Sequence, residues 1–147
     1  MHGKIDSSSR CCYYVKMRSN CPISCALDVV GDQWSLIVLR DVVLLKRRRF
    51  SEIAQNEGIA TNILSDRLTK LEAAGLVKRV TNEKDRRGKL VEPTEKALDL
   101  IPMMMDLLVF GVDHCGGRID DDLVNRVRNE REVLIDELRG EARSTYS

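Results

Sequence analysis

The chain has 147 residues, 43% hydrophobic and 32% charged, which fits one folded domain with arms and excludes a disordered chain or two independent cores. No apolar run reaches the roughly 18 residues of a membrane span, and no charged-then-apolar leader ends in a small-residue cleavage site. A cytoplasmic protein without a membrane partner is therefore expected. Aromatics at 4% argue against gripping single-stranded nucleic acid by stacking.

The formal net charge of +1 conceals an asymmetry. Residues 46–89 hold twelve Lys/Arg (Lys46, Arg47, Arg48, Arg49, Arg67, Lys70, Lys78, Arg79, Lys84, Arg86, Arg87, Lys89) against six acids (Glu52, Glu57, Asp66, Glu72, Glu83, Asp85). That segment carries +6 and leaves −5 for the rest. Such a split fits a nucleic-acid face on a neutral-to-acidic body, although a solvated basic surface gives the same count.

In chain order, residues 1–20 are a polar arm without sustained periodicity. From Pro22 the pattern becomes helical, with Ile23, Ala26, Leu27 and Val30 at helical spacing and Gly31 able to end the helix. Asp32 caps a second helix with Trp34, Ile37, Val38, Val42 and Leu45 inward. The tetrad Lys46-Arg47-Arg48-Arg49 closes it, where positive charge suits the dipole. Ser51 reads as the N-cap of a short third helix carrying Ile53 and Ala54 and ending at Gly58. A fourth helix is expected over 60–74, stopped by Gly75. Leu76–Thr81 and Lys89–Glu92 flank the charged turn Asn82–Gly88 and read as a β-hairpin. A long apolar helix comes next over 95–113, with a kink or start at Pro102. Gly116-Gly117 breaks the chain before a last helix over 120–139, whose stripe is Leu123, Val127, Leu134 and Leu138. The expected fold is therefore mainly α with a small β-hairpin: a winged helix-turn-helix. Its boundaries are an arm at 1–20, a winged-helix domain with its following helix at 21–114, and a C-terminal helical extension at 115–147.

At about 100° per residue, Leu64, Leu68 and Leu71 form the buried stripe of helix 60–74. Asn62, Asp66, Thr69 and Ala73 lie opposite, with Ser65 and Lys70 flanking. Short polar groups beside cations are what a major-groove helix presents to base edges and phosphates; an ordinary solvated helix face looks alike. The hairpin tip Glu83–Lys89 is too charged to pack, and would bring Arg86 or Arg87 to a narrow minor groove. The tetrad, the polar helix face and the basic loop all fall within residues 46–89, and their coincidence favours DNA.

These residues also carry a resemblance. Cys21-Pro22-Ile23, Gly31-Asp32-Gln33-Trp34-Ser35-Leu36-Ile37, Arg48-Arg49-Phe50-Ser51-Glu52-Ile53, Gly58–Leu68 and Leu71–Val77 resemble the HxlR family of prokaryotic winged-helix regulators. Leu107–Gly111 with His114 is similar to that family's closing helix, where Trp is more usual than Phe110. The resemblance implies a homodimer whose N-terminal segment and post-wing helices form the dimer and whose reading helices meet successive major grooves of a double-stranded operator. It implies a DNA-facing set of Thr61, Asn62, Ser65, Asp66 and Lys70, with Arg48, Arg49 and Ser51 at phosphates. The wing Asp85–Val91 looks more like that of the MarR family, which implies bracing by Asp85 and minor-groove insertion by Arg87. The helix 120–139 runs beyond the usual family end.

Five cysteines (Cys11, Cys12, Cys21, Cys25, Cys115) without an export signal are expected as thiols. No CxxC pair exists, the two histidines lie far apart, and neither a metal nor a cofactor is expected. Cys21 corresponds to the cysteine that answers oxidants or electrophiles in several members of the family, and a helix start favours thiolate; a packed small residue is the alternative. Cys11 and Cys12 are candidate resolving thiols. Met103-Met104-Met105 reads as dimer core, with the lining of an effector pocket as its rival. No phosphate loop or nucleophile elbow points to an enzyme. The expected function is a homodimeric DNA-binding transcriptional regulator, responsive to an oxidant or small molecule. The alternative is a winged helix that docks on protein without specific DNA binding.

Overall fold

The computed structural model describes residues 18–146. Residues 1–17, with Cys11, Cys12 and His2, lie outside the described residues. Helix α1 spans Pro22–Val30, with Pro22 in the first turn, where its missing N–H has no partner to lose. The Gly31 N–H closes it on the Leu27 carbonyl at 2.8 Å. A Cβ on Gly31 would sit 2.3 Å from that oxygen, so the approach requires glycine. Val30 is buried, whereas Ile23 and Leu27 remain 72% and 52% exposed.

Asp32 caps α2 (Ser35–Leu39) by accepting the Trp34 and Ser35 N–H groups, both at 3.0 Å. The helix runs into a π turn over Arg40–Leu44, in which the Leu45 N–H reaches the Arg40 carbonyl at 3.2 Å. The wider turn shifts the phase of the residues after it, and Leu45, expected inward, is 51% exposed. Nor does the basic tetrad close the helix. Lys46 adopts φ 55° and turns the chain. The Arg48 carbonyl then accepts the Val91 N–H at 2.8 Å, and Arg49 bridges antiparallel to Leu90. The tetrad is thus an edge laid against the hairpin.

Ser51 is not the cap expected of it. The turn opens at Arg49, whose carbonyl accepts the Glu52 and Ile53 N–H groups at 2.9 and 3.3 Å, while the Glu52 carboxylate returns to the Arg49 N–H at 3.2 Å. The expected third helix is a run of turns with a 3-10 segment at Gln55–Glu57. Helix α3 spans Thr61–Ala73 and buries Leu64, Leu68 and Leu71, the stripe its period dictates. Gly75 takes φ 74° and releases the chain into β1 (Val77–Thr81). β1 pairs antiparallel with β2 (Lys89–Pro93), Thr81 opposite Lys89 and Val77 opposite Pro93.

The expected long helix divides into α4 (Glu95–Leu98) and α5 (Ile101–His114), with Pro102 in the first turn of α5. Met104 and Met105 are buried in the protomer's own core rather than left for a dimer. The last expected helix also divides, at Glu130 (φ −127°), into α6 (Asp121–Asn129) and α7 (Arg131–Tyr146). One apolar core joins Val38, Leu39, Leu68, Leu71 and Ile101 to Val127, Leu134, Ile135 and Ala142. Residues 121–146 therefore pack on the winged-helix core as part of it. Among the described residues, no single helix is long and apolar enough to cross a membrane.

Candidate nucleic-acid interface

The turns that lead from the π turn to α3 are set by a buried carboxylate. Asp41 has no exposure. Its oxygens accept from Arg40 Nε at 2.8 Å, Arg47 Nη1 at 3.0 Å and the Ala54 N–H at 2.7 Å. The last bond secures Ala54 in the left-handed region, φ 53°, which costs a side-chain-bearing residue of order 1 kcal/mol or more. Arg40 also meets Glu57 at 3.0 Å. Burial disfavours the Arg40 charge, but its bonds to Asp41 and Glu57 outweigh that and push its pKa up. Asp41 is an organising residue that sequence reasoning missed; its one signal was a lone acid in an apolar run.

On the outer side of α3, Thr61, Asn62, Ser65, Asp66 and Lys70 are all exposed. Lys70 Nζ lies 3.1 Å from Asp66, an exposed pair of small energetic weight. Arg67, next in sequence to Asp66, turns the other way and lies 3.3 Å from Asp32. Burial raises the Asp32 pKa, but the Ser35 hydroxyl, the two capping N–H groups and Arg67 together hold it below its ordinary 3.8. Thr69 donates to the Ser65 carbonyl at 3.0 Å and accepts from Arg79 Nη2 at 3.1 Å. Arg79 also meets Glu72 at 3.6 Å. It thereby ties β1 to the solvent side of α3, a connection not expected from the sequence.

At the wing tip the Asp85 carboxylate accepts the Arg87 N–H at 3.1 Å, its carbonyl accepts the Gly88 N–H at 3.1 Å, and the Asn82 side chain accepts the Lys84 N–H at 3.1 Å. The brace expected of Asp85 is thus a turn held by its own side chain, which leaves Arg86 and Arg87 exposed. A groove brings Arg49, Ser51, Asp85, Arg87 and Lys89 together. Arg48 belongs elsewhere: its guanidinium pairs with the buried Glu92 and lies 5.3 Å from the centre of the Tyr146 ring. Its expected place at a phosphate conflicts with that engagement. Cys21 is exposed at the start of α1, and Cys25 Sγ donates to the Ser19 carbonyl at 3.4 Å. Among the described residues no cluster of His, Cys, Asp and Glu is placed to hold a metal.

Packed helices leading to an outward helix, with a basic hairpin behind it in the chain, define a winged helix-turn-helix. The sequence model of the HxlR-like helix-turn-helix proteins matches residues 29–117, and the chain belongs to that family. An HTH-type transcriptional regulator of Mycobacterium bovis is 35% identical over 89 residues, 60% of this chain and 56% of the relative. The chain thus spans little more than half the length of the first curated relatives it matches. Among solved structures, PA1607, a candidate transcription factor, aligns with a TM-score of 0.61 at 32% identity, over 66% of this chain and 67% of that one. The redox regulator HypR in its oxidized form aligns with a TM-score of 0.57 at 26% identity, over 68% of this chain and all of that one.

Proposed function

We propose that this chain is a DNA-binding transcriptional regulator acting as a homodimer on a pseudo-palindromic operator. The observation that carries the reading is the outer face of α3. Thr61, Asn62 and Ser65 are exposed, and their side chains enter no hydrogen bond with another described residue. Asn62 pairs bidentately with adenine, Asp66 accepts from cytosine, and Thr61 and Ser65 adapt to either neighbour. Lys70, Arg49 and Ser51 meet phosphates, and Arg86 and Arg87 track the minor groove. Arg48 stays with Glu92 and outside this set.

Dimerisation has its support in exposed apolar side chains: Ile23 and Leu27 on α1, Leu107 and Phe110 on α5. A second copy buries them and sets the two α3 helices about one or more duplex turns apart, to match a two-fold axis. Cys21 is the candidate thiol switch. It is exposed and stands two residues before Ile23, so oxidation to the sulfenate by a peroxide, with loss of water, alters that seam and the half-site spacing. The named redox relative supports this reading by analogy.

The test is selection of duplexes from a random pool, run with reduced and with mildly oxidised protein. A two-fold-symmetric site bound in a salt-dependent way is the expected outcome. Failure to enrich any sequence, with no salt-dependent binding to random duplex, overturns the DNA reading. Equal operator affinity in both redox states overturns only the role of Cys21.

A further inference from the structure

Helices α6 and α7 lie beyond the residues that match the family, yet α7 reaches the base of the wing. Tyr146 makes the link. Its hydroxyl donates to the Val42 carbonyl of the π turn at 2.7 Å. Its ring lies under the Arg48 guanidinium, 5.3 Å from the centroid. Arg48 in turn pairs with Glu92 of β2, which also meets Lys78 of β1 at 3.3 Å. Burial, with Glu92 adding and Arg48 opposing, pushes the Tyr146 phenol up to about 12, so it remains a donor at neutral pH. Two further ties hold α7 in register: Lys46 with Glu141, and Arg143 on both oxygens of Glu95 at 2.8 and 2.9 Å.

A two-stranded ribbon has little stability of its own. The direction of this wing is set by what grips its base, and the chain of contacts at that base runs from Val42 through Tyr146, Arg48 and Glu92 into both strands. We propose that Tyr146 is a positioning residue for the wing: stacked on Arg48, it fixes β2 against the π turn and so holds Arg86 and Arg87 where they meet the duplex. This rests on the DNA-binding reading above, and gives a segment outside the family match a part in that reading.

The experiment uses the full chain and measures affinity for a random duplex across a salt series, with thermal unfolding as a check of folding. Each phosphate contact adds about 0.9 to the slope of log K against log salt. Tyr146→Leu keeps apolar bulk but loses ring and hydroxyl; its slope should be shallower by about 1–2, the share of the two wing arginines. Affinity for operator and for random duplex should fall by the same factor. Tyr146→Phe keeps the ring over Arg48 and should recover most of the slope. In an Arg86→Ala/Arg87→Ala background, Tyr146→Leu should change the slope no further. A loss of folded protein lowers the active fraction without altering the slope, so the slope separates positioning from stability. An unchanged slope in folded Tyr146→Leu, or a further drop where the wing arginines are already gone, overturns the proposal. Absence of salt-dependent binding by the unmutated chain overturns the DNA reading as well.

Discussion

Two basic stretches that stand close together in the sequence behave in opposite ways. In Lys46–Arg49 the charges are largely spent inside the molecule: Lys46 on Glu141, Arg47 on the buried Asp41, Arg48 on Glu92 and Tyr146. Arg49 is the member that lines the groove with Ser51 and Arg87. On α3 and the wing tip the polar groups face outward; Lys70 meets Asp66 only at the exposed surface, and Arg86 and Arg87 stand clear of the fold. A count of cations therefore measures two things at once. The tetrad neutralises acids that shape the helix-turn-helix and the wing, while α3 and the wing tip keep their polar and basic groups exposed, as the proposed DNA contact requires.

The sharpest way to break that contrast is on the inward side. Asp41→Ala removes a buried carboxylate shared by Arg40, Arg47 and the Ala54 N–H. Breaking such a network costs about 3–5 kcal/mol, because the Ala54 N–H is left buried without its acceptor and Arg40 and Arg47 lose the carboxylate they share. Urea unfolding should read this as a lower midpoint; a change under about 1 kcal/mol, the size of one ordinary hydrogen bond, would show that the tetrad's inward pairing contributes little.

On the outward side the expected effects are smaller and appear in binding. Asn62→Ala should lose about 1–3 kcal/mol of discrimination at one base position, with unfolding unchanged. Competition between a selected operator and random duplex measures it, and unchanged discrimination would mean that α3 presents another phase to the groove. Arg87→Ala should instead weaken binding equally on all sequences and reduce the salt slope by about 1. A sequence-selective loss from Arg87→Ala would reverse the roles assigned to helix and wing.

The same contrast explains which parts were legible in the sequence. The stripe Leu64, Leu68, Leu71 and the hairpin around Asn82–Gly88 were visible because period and turn chemistry are local properties. Leu45 was misplaced because a π turn inserts an extra residue, which no apolar pattern announces. The break at Glu130 lacks a proline or glycine, and it carries α7 back across the wing base, a gain that depends on residues far away in the chain. Arg48 was assigned to phosphate for the same reason. Its charge is local information, whereas Glu92 and Tyr146 are 44 and 98 positions further on. Thr61, Asn62 and Ser65 needed only the helix phase, so their outward placement was readable from the sequence.

Asp32 joins the two sides and carries the smallest predicted effect. Its carboxylate caps α2 and holds Arg67, the α3 residue that turns inward beside the outward Asp66. Its folded pKa lies below its ordinary 3.8, because the Ser35 hydroxyl, the two N–H groups and Arg67 together outweigh the opposing effect of burial. A lowered carboxylate pKa adds stability at pH values above the ordinary one, and that increment disappears as the pH falls through the lowered value. Asp32→Ala should therefore cost about 1 kcal/mol at neutral pH, the usual size of a lost N-cap. The gap from the unmutated chain should narrow below about pH 4, where the carboxylate of the unfolded chain takes up a proton, and narrow further until the pH passes the lowered native value. Base discrimination should stay as it was, since Arg67 is not among the outward groups of α3. Urea unfolding at neutral and acid pH, run beside the operator competition, tests both halves. A gap that widens in acid would mean that Asp32 is not the charged cap of α2, and altered discrimination would mean that the inward and outward sides of α3 are not independent.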